Sequence, residues 1–136
     1  MAVSNPTLSY PKPRNTCIKI IPIARTDSST AKCVLPKGAV ISTVTCYQNV
    51  NASTAAATWT VGWAADTDGI LNAFSAATTA VGQVHPGTAI GSGVFARLTS
   101  DVTVISTFGV GSSTAGGTGY VIIEYFVPGP GEAVDD

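Results

Sequence analysis

Apolar and polar residues alternate through the middle of the chain with the two-residue period of a β-strand. Over residues 57–64, one face carries Trp59, Val61 and Trp63, and the other carries threonine and glycine. This is the clearest half-buried strand in the sequence. It predicts that the three apolar side chains point into a core.

The same period recurs along most of the chain. In residues 40–50, it predicts that Val40, Val44, Cys46 and Val50 face inward. The segment YVIIEYFV is apolar on both faces, which favours a strand that is central or covered on both sides. Shorter strand candidates are residues 16–23, 31–35, 94–98 and 101–109. Seven or eight short strands predict an all-β fold, a single β-sandwich of jelly-roll-like form.

Other segments depart from this period. Ile70, Leu71, Phe74 and Ala77 have helical spacing, which predicts a short helix over residues 70–80. The preceding DTDG is predicted to form a turn, and the following glycine-rich stretch up to Gly93 a loop. The stretch GSSTAGGTG is predicted to form a hairpin loop before the last strand.

Three regions follow from these patterns. Residues 1–14 contain three prolines and predict an extended N-terminal arm. Residues 15–128 form the β-sandwich domain, and residues 129–136 form a flexible acidic C-terminal tail. The N-terminus has neither a basic nor an apolar stretch of the signal-peptide kind, and no apolar run is long enough to span a membrane, so no membrane partner is expected.

Charge is scarce. Only 11% of residues are charged, where soluble domains usually carry about 25%. A surface poor in charge repels its neighbours weakly and suits a protein that packs against others. The alternative is a stable domain with a threonine-rich β surface, since threonine favours strands. The basic residues are spread out and lack interleaved aromatics, so no nucleic-acid partner is expected.

Motifs that would carry chemistry are missing from the sequence. Cys17, Cys33 and Cys46 are odd in number and lack CxxC spacing, so we expect free thiols and assembly in a reducing cytoplasm. Asp66 and Asp68 resemble the start of a calcium loop whose later ligands are absent, so we expect no metal site.

Catalysis is not expected either. His85 is the only histidine, and no GxSxG elbow accompanies it. The glycine-rich loop lacks the GK[ST] of a phosphate site, so no cofactor is expected. We therefore predict no catalytic residue, and the protein is predicted not to be an enzyme.

Two segments resemble known proteins. The run LPKGAVISTVTCYQNVNASTAAATWTVGWAADTDGILNAF, from Leu35 to Phe74, resembles a segment of small structural proteins of tailed-phage virions. The closing STAGGTGYVIIEYFVP, from Ser113 to Pro128, resembles their last hairpin. The family is that of tailed-bacteriophage head decoration, or capsid cement, proteins. The resemblance implies a jelly-roll β-sandwich, a homotrimer, and binding to the major capsid protein on the outer capsid surface, where the protein stabilises contacts between capsomers.

The resemblance does not reach residues 1–14, where we place a capsid-contact arm. Tyr10 is an amphipathic anchor, and Lys12 and Arg14 supply charge. An alternative is a tail- or fibre-associated β-sandwich that attaches to host glycans. That function requires Trp59 and Trp63 to form an exposed aromatic platform, whereas their phase favours the core.

Overall fold

Eight β-strands in two antiparallel sheets make up the described part of the computed structural model, which covers residues 16–53, 57–76, 82–84, 89–109 and 116–128. No α-helix occurs within these ranges, and the predicted all-β sandwich is confirmed. The strands are β1 (Cys17–Ile23), β2 (Thr30–Leu35), β3 (Val40–Val50), β4 (Thr58–Trp63), β5 (Asp66–Ser75), β6 (Gly82–Val84), β7 (Val102–Gly109) and β8 (Thr118–Phe126).

The strand order is β1-β8-β3-β6 in the first sheet and β2-β7-β4-β5 in the second. β1 pairs with β8, β2 with β7, β3 with β6 and β4 with β5. β8 also pairs with β3, and β7 with β4, which completes each sheet. The apolar strand β8 therefore has a neighbour on each side, as its sequence predicts.

The core lies between the two sheets. Trp59 and Val61 of β4 are fully buried, and so is Cys46 of β3, as their alternation predicts. Trp63 is only half-buried, because it lies at the end of the sandwich where the interior opens. The opposing sheet contributes mainly alternate residues, among them Ile21, Ile41, Val44, Val121 and Ile123.

The helix predicted over residues 70–80 is wrong over residues 70–75, which belong to β5, and residues 77–80 lie outside the described residues. Trp59 pairs with Phe74 and Val61 with Leu71, so two steps along β4 match three steps along β5. Such a β-bulge turns both Leu71 and Phe74 towards the core and imitates helical spacing. Ala73, inside the bulge, has a φ of 53°, in the left-handed region.

The predicted turn over DTDG is also wrong. Asp66 opens β5 and pairs with Trp63, so the chain reverses at Ala64 and Ala65. Within the stretch predicted as a loop, Gly82–Val84 forms the short strand β6 and pairs with β3.

Val50 does not face the core as predicted, since its side chain is 50% exposed. A register shift between Gln48 and Val50 reverses the phase at the end of β3. Gln48 is buried instead, and its amide donates hydrogen bonds to the Ala76 carbonyl at 2.9 Å and to the Asn51 side chain. Burial of a polar residue here is stabilised by these bonds.

The predicted strand over residues 94–98 is wrong as well. The segment consists of turns, apart from an isolated bridge between Arg97 and Val40. The predicted arm, residues 1–14, and the predicted tail, residues 129–136, lie outside the described residues, as do residues 111–115 of the predicted hairpin loop.

Candidate functional site

One end of the sandwich gathers the features that suit contact with a partner; we call it the arm end. β1 starts here at Cys17, which pairs with Tyr125 of β8, and Tyr125 pairs with Ile41 at the start of β3. The predicted arm joins the described chain at Thr16, one residue before β1. Adjacent strands lie about 4.8 Å apart, so Cys17 lies roughly 10 Å from the backbone of Ile41.

Residues 91–101 form a segment that crosses the arm end and connects the two sheets. The amide of Gly93 donates to the Gly69 carbonyl of β5 at 2.7 Å. On the other side, the Phe95 amide donates to the Ile41 carbonyl of β3 at 2.8 Å. Gly91 must lack a side chain, because a Cβ there would lie 2.2 Å from the Asp68 carbonyl oxygen. The segment is therefore fixed to both sheets by its backbone.

Phe95 is the unusual residue of this crossing segment. Its φ is +71°, and its side chain is 72% exposed, more than any other large hydrophobic residue described. A left-handed conformation costs a residue with a side chain about 1–2 kcal/mol. Because the Phe95 ring is largely exposed, its burial contributes little free energy to offset this cost. The strained backbone therefore does not serve the stability of the fold. Strained backbone of this kind clusters at functional sites, which makes Phe95 a candidate contact residue.

A cavity of about 520 Å³ lies beside this segment. It is lined by Trp63, Asp66, Ser92, Arg97 and Asp101, among others. The Ser92 hydroxyl donates to the Asp66 carboxylate at 3.5 Å, and the Asp101 carboxylate accepts a 2.7 Å hydrogen bond from the Lys37 amide. Desolvation is the main cause that raises the pKa of the Asp66 carboxyl, and the neighbouring carboxyl of Asp68 raises it further. The cavity therefore combines an indole with several hydrogen-bonding groups.

Gly93 and Gly69 position the indole of Trp63 in this cavity. A Cβ on Gly93 would lie 2.4 Å from Cη2 of the indole, and one on Gly69 would lie 2.9 Å from the same atom. Only glycine allows the ring to approach these two backbones so closely. Trp63 thus faces the cavity partly, whereas Trp59 lies wholly in the core, and the two do not form a shared aromatic platform.

The described residues contain no group of three or more potential ligands that could hold a metal ion. Nor do they contain a helix long and apolar enough to cross a membrane. Cys17 is exposed, Cys33 is half-buried, and burial raises the pKa of the Cys46 thiol to about 12. His85, the histidine that a hydrolase would need, lies outside the described residues.

The three residues of the predicted capsid-contact arm, Tyr10, Lys12 and Arg14, also lie outside the described residues. Phe95 was missed by the sequence analysis, because the apolar run around it resembles a strand. The signal in the sequence was the pair Gly91 and Gly93 just before it, which is typical of turns.

Comparison with known proteins identifies the fold. No family model and no curated protein matches the chain. Among solved structures, the chain is similar to a chain of the cyanophage Pam1 capsid asymmetric unit, with a TM-score of 0.63. Identity is 19%, and the match covers 94% of each chain. At this identity the likeness establishes a shared fold, a β-sandwich that also occurs within a phage capsid.

Proposed function

We propose that the protein is a structural protein of a tailed-phage virion. It binds the outer surface of the icosahedral capsid and stabilises contacts between capsomers, as decoration or cement proteins do. The observation that carries this proposal is the match to the cyanophage Pam1 chain over 94% of both chains. The partner is the major capsid protein, and the role is non-enzymatic and needs no cofactor.

The strand order supports a jelly roll, the form implied by the sequence resemblance. Each pair formed by β1 and β8, β2 and β7, β3 and β6, and β4 and β5 is antiparallel. The chain therefore resembles one long hairpin that is wound into two sheets. Eight strands in two such sheets are typical of the jelly rolls of viral capsids.

Two features of the arm end support a role in attachment. The arm, with Tyr10, Lys12 and Arg14, joins the sandwich at the same end as the exposed Phe95. Tyrosine and arginine are enriched among the residues that dominate binding energy, and phenylalanine is enriched in protein interfaces. We propose that the arm and Phe95 contact the shell together.

Deletion of residues 1–14 is expected to leave the β-sandwich folded and to weaken attachment to undecorated shells sharply. All eight described strands lie beyond the deletion. Binding is measured by co-sedimentation with shells at several salt concentrations. Attachment of the full chain should weaken with salt if Lys12 and Arg14 face an acidic surface, since salt screens exposed charges.

The matched control is a double variant, Lys12→Ala with Arg14→Ala, which keeps the arm's length and removes its charge. If the truncated protein binds shells as tightly as the full chain at equal ionic strength, the arm has no part in attachment. If the full chain does not bind shells at all, the proposed function is wrong. The copy number in purified virions gives a second test: hundreds of copies indicate decoration, and a handful indicate a tail or neck component.

A second candidate function is attachment to host glycans as a tail- or fibre-associated protein. The expected platform of two tryptophans is not formed, but the cavity beside Trp63 favours this function, because a single indole with carboxylates and a hydroxyl around it offers stacking and hydrogen bonds to a sugar. On an array of bacterial surface polysaccharides, binding is expected to be lost in Trp63→Ala and kept in Thr60→Ala. Absence of binding by the native protein to every polysaccharide on the array would reject this candidate.

A further inference from the structure

The outer faces of the two sheets differ in chemistry. In the second sheet, the outward positions of β4 and β7 carry mainly threonine, namely Thr58, Thr60, Thr103 and Thr107. Such a face is suited to water, as is usual for one side of an antiparallel sheet. The first sheet does not follow this rule.

The first sheet has an apolar outer face, formed by Ile18, Ile20, Tyr47, Tyr120 and Ile122. Ile18 and Ile20 are 56% and 61% exposed, and Tyr47 and Tyr120 are 43% and 40% exposed. They are neighbours across the strands: Ile20 pairs with Ile122, and Tyr120 pairs with Tyr47. Side chains directly opposite each other in this way are in contact range. The five residues therefore form one continuous surface.

The size of the apolar face limits what can cover it. Three strands about 4.8 Å apart, over about six residues each, present roughly 300 Å² in projection. A stable interface buries about 800 Å² on each partner. A partner must therefore cover more than this face alone, and the adjoining free edge of β1 is the nearest additional surface.

Charge decides how a second copy can dock. Glu124 lies in the same sheet, between Ile18 and Thr43 in register, and it is the one charged side chain on the outward positions of the described part of β8. A face-to-face dimer with two-fold symmetry presents the same outer face on both subunits, and the described outward positions of β1, β3 and β8 carry no lysine or arginine that could pair with Glu124. A head-to-tail contact can instead bring a cation from a different surface of the neighbour to Glu124.

Lys19 supplies the cation that a head-to-tail contact requires. Lys19, between the exposed Ile18 and Ile20, is half-buried on the edge strand β1. Burial raises the pKa of the Cys33 thiol on β2, and the positive charge of Lys19 partly offsets this rise. The Lys19 ammonium is therefore close to β2. Lys19 thus lies at the open side between the two sheets. The β1 edge offers a neighbour a positive charge together with the backbone of an edge strand.

We propose that the apolar face binds the β1 edge of a second copy of this chain, with Lys19 of one copy facing Glu124 of the next. Head-to-tail contacts of this kind close into a ring when the rotation between subunits allows it. In the proposed homotrimer, this contact is the interface between neighbouring subunits. The contact does not depend on the capsid and forms in the purified protein.

The test is the mass of the purified protein at micromolar concentration, measured by sedimentation equilibrium. We expect the native chain to assemble and Ile20→Lys to be monomeric. Thr60→Lys is the matched control, because Thr60 lies on the outer face of β4, an inner strand of the other sheet. It is expected to assemble like the native chain. Far-UV circular dichroism checks that each variant is folded, and Ile18→Ser replaces Ile20→Lys if the latter does not fold.

A charge exchange tests the direction of the contact. Glu124→Lys is expected to weaken assembly, and adding Lys19→Glu is expected to restore it. A monomeric native protein, or an Ile20→Lys variant that assembles normally, overturns the proposal, and so does a charge exchange without restoration. Assembly without binding to undecorated shells would overturn the proposed function and leave this contact intact.

Discussion

Replacing Trp59 with alanine is expected to lower the free energy of unfolding by about 3 to 5 kcal/mol. The indole is fully buried, with ring centroids 6.1 Å from Phe74 and 6.2 Å from Phe108. It also crosses the interior to the other sheet, since a Cβ on Gly119 of β8 would lie 2.8 Å from its Cη2. The truncation therefore opens a cavity that touches both sheets.

Chemical denaturation followed by circular dichroism measures this loss. Thr60→Ala, one residue along β4 on the outer face, is the control and is expected to change stability by less than about 0.5 kcal/mol. Trp63→Ala is expected to cost less than Trp59→Ala, because Trp63 is partly exposed. A loss below about 1 kcal/mol for Trp59→Ala, as at a surface site, would contradict the assignment of this face to the core.

Replacing Phe95 with glycine is expected to weaken attachment to shells by about 30-fold, which corresponds to about 2 kcal/mol, the lower bound for a dominant contact residue. The same change is expected to leave the free energy of unfolding unchanged or to raise it by up to about 1 kcal/mol. Glycine relieves the left-handed strain, and this gain offsets its greater loss of backbone entropy on folding. A Phe95→Gly variant that is more stable but binds shells less tightly would show that the left-handed strain at Phe95 is retained for function.

Co-sedimentation with undecorated shells and denaturation of the free protein measure the two quantities. Val34→Ala is the control, because it removes an exposed aliphatic side chain from the opposite sheet. It is expected to change neither quantity by more than about 0.5 kcal/mol. Equal shell binding by Phe95→Gly and the native chain would show that the exposed ring has no part in attachment.

Bulges explain why the sequence analysis failed at β5 and at the end of β3. The two-residue period is reliable only while the strands stay in register, and it correctly placed Trp59, Val61 and Cys46 in the core. One extra residue reverses the phase of everything after it. That is why Leu71 and Phe74 imitate a helix and why Val50 faces outward. A bulge depends on the partner strand, which the local sequence does not reveal.

The sequence by itself determined the class of the fold, because side-chain period and turn residues are local properties of the chain. It also indicated the central position of β8 in its sheet through its two apolar faces. Only the tertiary structure decided which end of the sandwich holds Phe95 and which outer face is apolar. Both depend on bonds and pairings between residues far apart in the chain, such as the Phe95 amide with the Ile41 carbonyl and Ile20 with Ile122. Long-range pairings of this kind are set by the packing of the whole domain, and no local pattern records them.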